Sequence, residues 1–141
     1  MPDDRTLGGP AEEGAPRSGA GRVLVAVYAV FALAAGARAG VQLATRFDEA
    51  PLAYLLSALA AVIYVVATVA LARGATRVAL AAIGVELVGV LVVGTLSLAD
   101  SAAFPDETVW SGYGRGYLFI PLVLPVVGLL FLRRRMHPAG R

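Results

Sequence analysis

The chain has 141 residues, 58% of them hydrophobic and 16% charged, against about 45–50% and about 25% in a soluble domain. Its mean hydropathy is +0.75, and the apolar residues gather in long runs, which excludes a water-soluble globule and indicates a small integral membrane protein. The formal charge is +2 and there is no Cys, which excludes disulfides, iron–sulfur clusters and a thiol nucleophile.

Every basic residue is Arg, and the arginines flank or interrupt the apolar runs. They form no basic face with interleaved aromatics, so no nucleic-acid partner is expected. Arg without Lys, alongside abundant Ala, Gly and Val, matches a high-GC coding sequence and points to a bacterial plasma membrane.

In chain order, residues 1–21 are rich in Pro, Gly and acid and show no periodicity, predicting a disordered cytoplasmic tail. Four apolar runs follow, at about 23–45, 52–72, 78–99 and 117–132. Backbone polar groups in hydrocarbon must bond within their own segment, so all four are expected to be helices. The expected fold class is all-α, an integral membrane four-helix bundle over residues 22–135 with a short cytoplasmic tail at 136–141. Pro121 and Pro125 should bend the last span.

The connecting segments alternate in charge. Arg17 and Arg22 precede the first span, Arg73 and Arg77 lie between the second and third, and Arg133, Arg134 and Arg135 follow the fourth. The opposite side carries Asp48, Glu49, Asp100, Asp106 and Glu107 with only Arg46 and Arg115. By the positive-inside rule both termini and the middle loop are cytoplasmic. The three consecutive arginines mark that side, and they could also bind anionic headgroups at about 1 kcal/mol each. On the other side Trp110, Tyr113 and Tyr117 lie among glycines. They are expected to form an interfacial aromatic belt, with ligand stacking or partner docking as the alternative.

Residues 23–35 also resemble a signal-peptide core, with Ala37, Arg38 and Ala39 as a small-x-small cleavage site before Gly40. The long preceding tail, with acids Asp3, Asp4, Glu12 and Glu13, argues against removal of the first span.

The residue inventory disfavours catalysis. The single histidine, His137, lies in the C-terminal tail, leaving no bis-histidine haem or intramembrane zinc site. Ser57 and Ser97 lack a histidine or lysine to serve as base. No P-loop or dinucleotide-binding glycine motif occurs. No enzymatic activity, cofactor or metal is expected.

Two ionisable residues remain inside spans, Arg38 and Glu86. Each costs about 2.5–3.5 kcal/mol near the bilayer centre, so each should be paired or functional. In the first span Ala32, Gly36, Gly40 and Ala44 recur every four residues, forming a groove that lets another helix approach closely. Arg38 lies about 200° round from each glycine, on the face of Gln42 and Thr45. In the second span Tyr54, Ser57, Ala61, Tyr64 and Thr68 form a stripe whose hydroxyls can serve a buried charge. Arg38 and Glu86 are offset by roughly 10 Å along the membrane normal. Two arrangements therefore stay open: a charge pair or ion/solute site of Arg38, Glu86, Gln42 and Tyr64, or an Arg38 that reaches the outer surface and meets Asp48, Glu49 or Asp100.

Four spans, this length and one intramembrane carboxylate resemble the small multidrug resistance exporters in architecture. That resemblance implies proton-coupled export of cationic drugs through the glutamate. Those proteins carry it in their first span, whereas Glu86 lies in the third, and Arg38 would repel a cation. The reading favoured by the residues is a non-catalytic accessory or partner-binding subunit of a membrane assembly. Its partners would be the lipid bilayer and a membrane protein or second copy docked on the small-residue groove. The alternative is a small proton- or ion-coupled transporter using Glu86 and the polar face around Arg38.

Overall fold

The computed structural model describes residues 19–104 and 108–136. Most of the expected N-terminal tail, His137 and the rest of the C-terminal tail lie outside them. Among the described residues the regular structure is all helical, with short 3-10 segments between four α-helices. These are α1 (Gly19–Thr45), α2 (Pro51–Arg73), α3 (Thr76–Ala99) and α4 (Ile120–Met136). The first three are long and apolar enough to cross a membrane, with mean hydropathies of 1.8, 2.5 and 2.3. A fourth crossing is possible if α4 is joined to the 3-10 segment Ser111–Tyr117, from which it is bent by 98°. This is the build of a small multi-span membrane protein.

Local signals explain the ends. Pro51 opens α2 in the first turn, where its missing N–H has no helical partner to lose. Gly74 closes α2 in the left-handed region at φ 70°, and the Ala75 N–H bonds the Ala70 carbonyl at 2.8 Å, so α3 turns back within three residues. At the N-terminus α1 begins at Gly19, so the last three residues of the expected tail are already helical. Met136 likewise ends α4 instead of opening a tail.

The fourth span departs most from expectation, starting three residues later than position 117. Its sharp bend is not made by the prolines. Pro121 sits in the first turn of α4, where proline is tolerated, and Pro125 is carried within the helix. The corner is made by Leu118 and Phe119, both at φ 59°. Non-glycine residues seldom adopt that left-handed conformation without surrounding structure to hold it.

Consecutive helices are neighbours: α2 packs on α1 and α3, and α3 packs on α4 and on the 111–117 segment. Along α1 the buried stripe is Leu24, Tyr28, Phe31, Ala35, Ala39 and Gln42, at alternating three- and four-residue steps. Large aliphatic residues face outward on every span, among them Leu33, Val62, Val88 and Val127. Lipid tails are as apolar as leucine, so close packing and internal hydrogen bonds hold such helices together.

Candidate functional site

The centre of the bundle holds a buried cluster of polar side chains around Glu86. Glu86 on α3 is fully buried, and its Oε1 accepts a 2.6 Å hydrogen bond from the Tyr28 hydroxyl of α1. Its Oε2 has no partner. Tyr64 on α2 is also fully buried, and its hydroxyl accepts from Trp110 Nε1 at 3.1 Å. The Tyr28 and Tyr64 rings lie 6.2 Å apart. Gly128 of α4 completes the ring of elements; a Cβ there would meet the Tyr28 hydroxyl at 3.4 Å and Ile83 at 3.1 Å.

Arg38 and Glu86 do not form the charge pair that the sequence left open. Arg38 donates through Nη1 to the Tyr117 hydroxyl at 2.7 Å, while Glu86 takes Tyr28. The reason is axial. Tyr28 is the α1 residue at the level of Glu86, and Arg38 lies ten residues, about 15 Å, further along the helix. An aromatic ladder fills the interval. Phe31 stacks at 5.9 Å on Tyr117 and at 5.6 Å on Tyr64, which in turn faces Tyr28.

The loop aromatics are placed differently from a membrane-interface belt. Trp110 is 1% exposed, and its ring fills the space over Gly89, where a Cβ would come within 2.5 Å of it. The Tyr113 ring lies over Gly94 in the same way, and its hydroxyl bonds Thr95 Oγ1 at 2.8 Å. The segment therefore dips back into the bundle against α3. Irregular backbone at such depth is tolerated only where protein satisfies it. Here Ser97 Oγ accepts from the Gly112 N–H at 2.9 Å, and Thr108 and Ser111 bond the segment internally. Gly112 at φ 58° and Gly114 at φ 85° allow the tight path.

No family model, curated protein or solved structure matches this chain. The site is therefore read from its own geometry.

Of the other residues singled out from sequence, Gln42 is 2% exposed and its Oε1 has no hydrogen-bond partner. It lines an open cavity of about 440 Å³ with Ala37, Arg38, Val41 and Arg46. Thr45 is exposed and bonds the Val41 carbonyl, so it adds nothing to that polar face. On α2, Tyr54, Ser57, Ala61 and Tyr64 are buried, and Ser57 Oγ has no partner. Thr68 is spent on the Tyr64 carbonyl.

The small-residue groove does not pack inside the bundle. Gly36, Gly40 and Ala44 are exposed and Ala32 is half-buried, and a Cβ added at either glycine would meet nothing within 4 Å. The stripe that seats α1 on its neighbours is Ala35 and Ala39, one residue earlier at each step.

Tyr28 is the functional-looking residue that the sequence reading leaves out, although a tyrosine hydroxyl within a span needs a partner and Glu86 is the only carboxyl within a predicted span. Trp110 and Tyr113 are legible as loop aromatics, but nothing in the sequence says that their rings fill the sockets at Gly89 and Gly94 on α3.

Proposed function

We propose that this chain is a non-catalytic, partner-binding subunit of a membrane assembly. It would sit in a plasma membrane with both termini on the cytoplasmic side, a reading that the arginine distribution supports. The observation that carries the reading is the outward groove of α1. Open space surrounds Gly36 and Gly40, so a second transmembrane helix can approach the backbone closely there. The interior supports it from the other side. Tyr28 with one oxygen of Glu86, and Trp110 with Tyr64, form two hydrogen-bonded pairs at that level.

The test is the assembly state of the full chain in mild detergent and in lipid nanodiscs. Wild type is expected in a stoichiometric complex, with a second copy or another membrane protein. Gly36→Leu with Gly40→Leu should release it without lowering the melting temperature of the released chain. Isolation of wild type as a lone monomer in both media overturns the reading.

One observation favours a transporter instead: Glu86 Oε2 is buried without a partner on the only carboxyl within the described helices α1–α4. A proton-coupled flux in liposomes that Glu86→Gln abolishes, with assembly intact, would replace the subunit reading.

A further inference from the structure

The C-terminal end of α1 carries a second polar feature that neither reading above uses. Arg38, Gln42 and Arg46 follow one another at four-residue steps and so share one side of the helix, drifting about 40° per step. All three line the cavity of about 440 Å³, with Ala37 and Val41 as its apolar part. That volume lies within the range of small-molecule sites, about 300–1,000 Å³. Three facts distinguish it from a plain surface dent. The Arg38 guanidinium is held by the Tyr117 hydroxyl, which restrains its position at the cavity. Arg46, the first residue after the helix, is exposed and lines the same cavity, its Cα about 12 Å further along the axis than that of Arg38. Between them Gln42 is almost wholly buried, yet its amide oxygen has no partner in the chain. Leaving a buried polar group unsatisfied is destabilising, so an amide kept there needs a use. Its oxygen is an acceptor and calls for a donor on the ligand.

We propose that this cavity binds a phosphate group held by Arg38 and Arg46, with a hydroxyl carried by the ligand, on a glycerol headgroup or on hydrogen phosphate, donating to the Gln42 amide oxygen. Guanidinium groups match phosphate oxygens with paired N–H donors. The chemistry is shared by an anionic phospholipid headgroup and by soluble phosphate. The setting favours the lipid: Val41 is exposed beside the arginines and faces outward like the other aliphatic residues of α1. An acyl chain can lie along it while the headgroup sits between the cations. The acidic residues nearby, Asp48 and Glu49, lie on the turn after Arg46 and do not line the cavity.

The experiment is native mass spectrometry of the full chain in detergent, titrated separately with phosphatidylglycerol, phosphatidylcholine and inorganic phosphate. Wild type is expected to bind phosphatidylglycerol more tightly than phosphatidylcholine. Arg46→Gln should weaken phosphatidylglycerol about fivefold, equal to the roughly 1 kcal/mol of one arginine near a charged surface. Gln42→Leu should weaken it by a similar factor while leaving the lipid-free melting temperature unchanged or higher, because it removes an unsatisfied amide. Arg133, Arg134 and Arg135 are present in every variant, so their general attraction for anionic lipid cancels. Variant-sensitive binding of inorganic phosphate without phosphatidylglycerol preference would assign the site to a soluble ligand. Equal phosphatidylglycerol affinity in wild type, Arg46→Gln and Gln42→Leu overturns the proposal.

Discussion

The middle of the bundle and the C-terminal end of α1 deal with polar side chains in opposite ways. At the level of Glu86, polar atoms come from three helices and a re-entrant loop and mostly bond one another. At Arg38, Gln42 and Arg46 they come from one helix and face an open cavity. The difference teaches where a hydroxyl is structural and where it is not. Tyr28 and Tyr64 close the centre, whereas Tyr117 holds a cation at the rim.

The sharpest way to break this contrast is Trp110→Ala. It empties the socket over Gly89 and leaves the Tyr64 hydroxyl without its donor, and should cost about 3–5 kcal/mol of stability. Thermal unfolding in detergent measures it. A loss under about 1 kcal/mol would mean that the loop does not hold the core. Tyr28→Phe should cost less, about 1–2 kcal/mol, since only the donor to Glu86 goes. Equilibrium unfolding checks this, and a silent substitution would remove the centre's claim to be bonded internally. Gly40→Ala should leave the isolated chain intact or gain it about 0.5–1 kcal/mol from helix propensity, because the added methyl meets open space. A measured loss there would place the groove inside the fold.

The smallest expected effect is the most diagnostic. A double-mutant cycle of Arg38→Gln and Glu86→Gln should be additive within about 0.5 kcal/mol, as distant sites are. Coupling above about 1 kcal/mol would restore the charge pair that the aromatic ladder separates.

Hydropathy located α1, α2 and α3 to within a few residues because each is a long apolar run ended by Pro, Gly or charge. It could not say which face of α1 turns inward. Ala35 and Ala39 alternate with Gly36 and Gly40, and both stripes are small and apolar, so the choice is made by the shapes on α2. The burial of Glu86 was legible from its charge. Its partner was not, because hydrogen bonding between helices depends on axial register, which spacing within each helix leaves free. The loop was least legible. Gly112, Tyr113 and Gly114, all at positive φ, fold into the protein a segment whose aromatics read as an interfacial belt.

The re-entrant loop has a consequence for the surrounding lipid. The apolar part of α4, from Ile120 to Leu132, spans about 20 Å before Arg133 begins, against about 30 Å of hydrocarbon. On the α1 side the apolar run 23–45, with Arg38 its only charged residue, covers about 35 Å. The molecule therefore presents a short wall on one flank and a tall one on the other. A bilayer around it must thin beside α4, or the whole bundle must tilt, and either response gives the protein a preferred neighbour thickness on one side only.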